Sequence, residues 1–333
     1  MRRLVLKVIA ILFWLSAPVW LDAQTKGLEP VKIGYSGIGV THDLLKIMTK
    51  NRIFEKHGLS AQTIYIGSGS MINQATVAGS IDFITSDLPG PIQAAVSGVD
   101  FKVISIWVNR LQDAIMTRKE IRRPQDLKDK KLAVSRYGSV SDVVTQMVLR
   151  HWKLEPHRDV ALVQVGNTPT RIAAILSGQV DGGLISFTDI DRLQNSGCCV
   201  VLGDLSKLGI AYARFGAVAT RGLLEVRPDM AQRLIQAFVE GTFHYKRHPD
   251  EAMAVLQSRG VDPKVARKVY QQVADSFRAR PDPDLASIQG VLDTLPDERA
   301  KKVRPEGLID PTPWNRLVQS GYLDRLYKEK GGS

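Results

Sequence analysis

Short apolar runs alternate with helical periodicities along most of the chain. Residues 31–35 form an apolar run opening on glycines, which predicts a buried strand. Residues 42–51 carry Leu44, Leu45, Ile47 and Met48 at helical spacing. Residues 61–66 predict a second strand, 71–78 a short helix stopped by Gly79, and 81–85 a third strand. The same order returns in strands at 131–135, 160–165 and 180–185 and helices at 141–152 and 170–176. Alternation of this kind predicts mostly parallel sheets with helices on both faces, an α/β fold.

The two copies lie at a fixed offset of 99 residues. Lys32-Ile33-Gly34-Tyr35-Ser36 falls over Lys131-Leu132-Ala133-Val134-Ser135. Gly39 falls on Gly138, Asp43 on Asp142, Met48 on Met147, Gly79 on Gly178 and Asp82 on Asp181. A repeat of this size predicts two similar lobes. The strand-forming stretch 101–117 joins them, and 211–220 carries the chain back. From 228 onward the pattern is helical, with Ala231, Leu234, Ile235 and Phe238 on one face and Val265, Val269 and Val273 on another. The expected organisation is a leader at 1–23, a first lobe at 24–115, a second at 116–213, and a return to the first lobe with C-terminal helices at 214–333. Two crossings between lobes imply a hinge and a cleft.

The leader changes the setting. Arg2, Arg3 and Lys7 precede an apolar run at 8–15, and Leu21-Asp22-Ala23 offers a small residue for cleavage. This is the pattern of a secretory signal peptide, with a mature chain from Gln24. The run is shorter than the ~20 residues a membrane span needs. Removing residues 1–23 lowers the formal charge from +11 to +9. Basic residues are interleaved with acidic ones, as in Lys128-Asp129-Lys130-Lys131, so a solvated surface is expected rather than nucleic-acid binding.

Catalytic templates fail. Gly34-Tyr35-Ser36-Gly37 is not a nucleophile elbow, because Gly37 stands at the variable position. Gly37-Ile38-Gly39 would continue a dinucleotide fingerprint only if His42 were glycine. His244 and His248 sit at i,i+4, but without H-E-x-x-H they read as a cationic helix end. Cys198 and Cys199 lie in an apolar run and are expected to be a buried pair rather than a vicinal disulfide. No catalytic residue, metal or cofactor is expected.

What remains is a set of polar turns at strand ends: Tyr35-Ser36-Gly37, Ser68-Gly69-Ser70, Ser86-Asp87, Arg136-Tyr137-Gly138-Ser139, Asn167-Thr168 and Ser186-Phe187. Ligands of open α/β sheets bind outside the carboxyl ends of the strands. Each turn taken alone suits a helix cap; together, facing one another from two lobes, they suit a ligand lining. Arg136 is the expected anion partner, because guanidinium forks match acid groups. Tyr35, Trp107, Tyr137 and Phe187 are available to enclose an organic moiety.

These stretches resemble the solute-binding proteins of ABC transporters for sulfonates, nitrate, taurine and thiamine-pyrimidine precursors. The resemblance rests on Val31-Lys32-Ile33-Gly34-Tyr35, Gly79-Ser80-Ile81-Asp82-Phe83, the run from Asp126 to Val134, and Gly178-Gln179-Val180-Asp181, and covers most of 30–260. Leu308-Ile309-Asp310 looks like the family's closing motif. The resemblance implies the two-lobed type II periplasmic binding fold, hinge closure on a small organic ligand in the periplasm, and delivery to an inner-membrane ABC permease; a monomer is the default expectation. It implies ligand contacts at Tyr35, Ser36, Gly37, Ser68, Gly69, Ser70, Ser86, Asp87, Tyr137, Gly138, Ser139, Asn167 and Phe187, beside Arg136 and Thr168 from the residues themselves. Asp87 is a departure: it would repel an anion unless a cation or hydrogen bond offsets it. Two other readings stand beside the transport one. A thiamine-pyrimidine synthase resembles the family but looks intracellular and cysteine-rich, unlike this chain. A ligand-sensing module docked on a membrane sensor would look the same in sequence.

Overall fold

The computed structural model describes residues 27–209, 211–295 and 297–329. The leader expected at 1–23 lies outside these residues. Strands run β1 (Glu29–Tyr35), β2 (Leu59–Tyr65), β3 (Phe83–Ile84), β4 (Phe101–Arg110), β5 (Ala114–Arg118), β6 (Lys130–Val134), β7 (Val160–Gln164), β8 (Gly182–Ile185), β9 (Cys199–Asp204) and β10 (Ala211–Thr220). Helices in the alternating part are α1 (Val40–Lys50), α2 (Ile53–Lys56), α3 (Gly69–Val77), α4 (Pro89–Val96), α5 (Val140–His151), α6 (Thr168–Leu176) and α7 (Phe187–Asn195). The C-terminal part supplies α8 (Arg221–Val226), α9 (Pro228–Arg247), α10 (Pro249–Ser258), α11 (Pro263–Ser276), α12 (Leu285–Leu292), α13 (Thr312–Gln319) and α14 (Tyr322–Glu329).

Among the described residues the strands build two five-stranded sheets, in the orders β2-β1-β3-β10-β4 and β7-β6-β8-β5-β9. In each, three strands run parallel and the last two are joined antiparallel. The sequence repeat is a repeat of geometry. Lys32 N–H donates to Asp82 Oδ2 at 2.7 Å, and Lys131 N–H to Asp181 Oδ2 at 2.8 Å. Ile66 N–H donates to Tyr35 O and Val165 N–H to Val134 O, both at 2.9 Å. Each aspartate follows a helix-ending glycine with φ above +70°, Gly79 or Gly178, and locks its first strand to the turn before its third.

The chain leaves the first sheet at Arg110 and enters the second at Ala114; it returns between Asp204 and Ala211. The second lobe closes its own small cores around Ala133, Ile185 and Leu193, and around Leu132, Leu149 and Val160. The C-terminal helices cover the first sheet. Ala231, Leu234, Ile235 and Phe238 of α9 are buried with Leu44, Met48 and Phe54 in the largest core. Trp107 stacks on Phe238 at 4.5 Å within it and takes no part in a ligand lining. Gly216 of β10 leaves no room for a Cβ, which would collide with Ser105 O and sit 2.7 Å from Leu88. Among the described residues no helix is long and apolar enough to cross a membrane.

The cysteine expectation is corrected. Cys198 and Cys199 are joined as a vicinal disulfide at the start of β9, with Cys199 buried and Cys198 half-buried.

One ionic contact ties the helical layer together. Glu240 of α9 accepts from Lys56 Nζ at 3.1 Å, from His57 Nε2 at 2.9 Å and from Tyr322 Oη at 3.4 Å. The His57 hydrogen bond, ahead of Lys56 and against burial, holds the Glu240 carboxyl down at about 2, from about 4.5. Its contribution is therefore complete above pH 4.5 and lost as pH falls toward 2. Glu240→Gln should be less stable than the parent at pH 6 and lose less stability between pH 5 and 2, as urea titrations across that range will read.

Candidate functional site

The carboxyl ends of the strands in both sheets point into the same cleft, and the helices that follow begin there. Gly39 precedes α1, Ser68 precedes α3, Ser139 precedes α5, Asn167 precedes α6 and Ser186 precedes α7; all five border one cavity of about 70 Å³. That is several times the room one water takes. Helix starts carry unpaired N–H groups and positive potential, so their convergence favours an anion. At α6 part of that need is met internally, because Asn167 Oδ1 accepts from Thr170 N–H at 3.1 Å.

The cleft is closed. Asn167 Nδ2 of the second lobe donates to Tyr65 Oη of the first at 3.0 Å. A Cβ on Gly39 would stand 3.8 Å from Thr188 Oγ1 across the gap. Arg259, after α10, bonds both carboxylate oxygens of Asp43 at 3.1 Å and reaches Asp189 of α7 at 3.5 Å. Burial opposes the Arg259 charge, but Asp43 and Asp189 outweigh it and raise its pKa.

Of the residues expected from sequence, Ser36, Gly37, Ser68, Gly69, Ser86, Asp87, Ser139, Asn167 and Thr168 border the cavity. Tyr35 lies beside it, its ring 5.9 Å from His42 and 5.6 Å from Tyr65. Ser70 and Gly138 line a separate groove. Phe187 is buried in the first-lobe core and does not border the cavity. Arg136 and Tyr137 are exposed outside it, with Tyr137 Oη donating to Leu162 O at 3.0 Å.

Two arginines take the place assigned to Arg136. Arg214 of β10 donates from Nε to Asp113 Oδ2 at 2.7 Å, from Nη2 to Asp113 Oδ1 at 3.0 Å, and from Nη1 to Asp87 Oδ1. Burial works against this charge, and the two carboxylates raise its pKa in spite of it. Asp87 is therefore answered by Arg214. Its other oxygen accepts from Ser36 Oγ at 3.3 Å and Ser86 Oγ at 3.4 Å.

Arg171, one turn into α6, is 6% exposed and differently held. It donates to Gly166 O at 2.9 Å, Thr168 Oγ1 at 3.0 Å and Leu184 O at 3.3 Å. Among the described residues no carboxylate lies within ion-pair distance of it, and its Nε has no hydrogen-bond partner. Burial pushes its pKa down to about 10, so it stays charged at neutral pH. Arg214 interrupts the apolar run 211–220 and Arg171 opens the apolar run that continues through 172–176; a lone charge in or at the edge of a buried run is the signal that points to them.

The geometry has counterparts among known proteins. A sequence-family model described as NMT1/THI5 like matches residues 50–252. The chain belongs to the NMT1/THI5-like family. A Brucella abortus (strain 2308) protein, named provisionally as a binding protein, is 29% identical over 230 residues, 68% of this chain and 70% of its own length. The taurine-binding periplasmic protein of Escherichia coli K12 is 24% identical over 208 residues, 60% of this chain and 62% of its own. A Candida albicans protein described as having the generic periplasmic binding protein fold superposes with TM-score 0.71 at 17% identity, covering 85% of this chain and 97% of its own. The alkanesulfonate-binding protein SsuA of Xanthomonas axonopodis pv. citri, bound to MOPS, gives TM-score 0.68 at 20% identity, with 86% and 98% covered. This family member has the periplasmic binding protein fold.

The two arginines should behave oppositely when neutralised. Arg214→Met strands Asp87 and Asp113 as buried charges and should cost about 3–5 kcal/mol in urea unfolding. Arg171→Met strands no carboxylate and should cost well under that, or stabilise the ligand-free protein.

Proposed function

We propose that this chain is the solute-binding component of an ABC-type importer, capturing a small organic acid between its lobes in the periplasm. The observation that carries this reading is Arg171: a charged guanidinium, buried beside a closed inter-lobe cavity, without a carboxylate of its own. An acid group entering the cavity supplies the missing partner and meets five helix starts. Family membership, the fold, and relatives named for binding taurine and alkanesulfonates support the same reading. An export leader at residues 1–23, as expected from the sequence, fits a receptor that works in the periplasm.

The hinge is assigned to the two crossings, residues 111–113 and 205–209. Asn167 of the second lobe reaches Tyr65, and Arg259 of the first reaches Asp189, only when the lobes meet. Ligand binding then shifts the protein toward this closed form in proportion to its preference for it, and the permease is the partner that reads the change.

A thermal-shift screen of the chain from Gln24 against small sulfonates, carboxylates, nitrate, pyrimidines and amino acids tests the reading. An acid present at one hundred times its Kd should stabilise the parent by about 2.7 kcal/mol. Arg171→Met should remove that shift. A hit confined to uncharged ligands, or one that survives Arg171→Met, would sink the assignment.

A further inference from the structure

A second recess opens from the cleft. A groove of about 580 Å³ runs along the first lobe between α3 and α4, within the size range of small-molecule sites. Val77, Ala78, Ala94 and Val99 make its walls apolar. Its rim at the cleft holds Ser70, Gly90 and Gly138, and its far end is Ala78. Eight residues of helix separate Ser70 from Ala78, about 12 Å.

Two further observations point to a ligand. Asn73 borders the groove and is 8% exposed, yet its Oδ1 has no hydrogen-bond partner; the Oε1 of Gln93 on α4, which also borders the groove, has none either. Buried acceptors left unpaired cost free energy until a donor reaches them. The step from cavity to groove also carries only small residues. Ser68 and Ser139 border the cavity, and Ser70 and Gly138 the groove. Between them stand Gly69 and Gly90, where a Cβ on Gly90 would come 3.3 Å from Gly138 O and 3.9 Å from Asn73 Nδ2. The Ser68–Ser70 hydroxyl pair, at 3.0 Å, and Gly138 O stand at the step, so a rotamer change at Ser70 opens the way with the lobes still closed.

We propose that the groove takes the apolar tail of the ligand whose acid head lies against Arg171, with an N–H or O–H near the head donating to Asn73. The ligand class is an elongated amphiphilic acid, of the shape of an acyl chain amide-linked to a short acid. This rests on the function proposed above, and the two fail separately.

The probes are N-acetylglycine and N-octanoylglycine, titrated calorimetrically into the parent, Ala94→Trp and Val77→Glu. Each methylene fully buried is worth about four-fold in affinity. The octanoyl probe should bind the parent at least about ten-fold tighter than the acetyl probe, since even two buried methylenes supply that. Ala94→Trp fills the groove and Val77→Glu, at an exposed position, makes its far end polar. Both should erase most of the gain while leaving N-acetylglycine unchanged. Equal affinities in the parent, or a gain that survives both variants, overturn the groove and leave the acid reading of Arg171 standing. Binding of neither probe to the parent overturns the groove proposal, while the screen above decides the acid reading by itself.

Discussion

The ion cluster of Asp87, Arg214 and Asp113 is the constraint around which the two lobes are arranged. Its members come from three places: the turn after β3, the middle of β10, and the first crossing between the sheets. A guanidinium in a buried strand is tolerable only with its carboxylates in place. The cluster therefore pins the crossing segment to the returning strand beside the cavity, and it sets the charge there. Asp87 and Asp113 both answer Arg214, and Arg171 borders the same cavity from α6 with no carboxylate at ion-pair distance among the described residues. Asp87 is thus part of the scaffold of the site rather than a repulsive group within it.

The repeated unit explains why the cleft is rich in helix starts. Each lobe builds three parallel strands joined by helices, so both sheets send their carboxyl ends and the following N–H groups to one edge. Facing the two edges toward each other doubles the number of donors and encloses them. The duplication is not complete. The C-terminal helices thicken only the first lobe, giving it the larger core. The second lobe is thus the smaller body, held across the cleft by contacts such as Asn167 with Tyr65 and Arg259 with Asp189.

Much of this was legible in the chain. The strands and helices of both repeats, the return strand and the amphipathic faces of the tail follow from period and punctuation. So do most of the polar turns at the cavity, because the residues that end strands and begin helices carry a local signature. The charged groups were not legible in the same way. Arg136 follows a strand and precedes a helix, which suggested a role, but its side chain leaves the cleft for solvent. Phe187 and Trp107 are aromatic near the right turns, yet both are absorbed into the first-lobe core. Cys198 and Cys199 sit in an apolar run, which suggested two buried thiols rather than the disulfide that joins them.

By itself the sequence determined the α/β alternation, the 99-residue repeat and the family, since each is written in spacings between near neighbours or in a fixed offset. The tertiary structure alone decided which cation faces the cavity and which acid it answers. Arg214 meets Asp113 across 101 residues and Asp87 across 127, separations over which no periodicity carries information. Burial supplied the rest. An arginine becomes an anchor only when water is excluded and its carboxylates lie elsewhere, and both conditions belong to the folded chain.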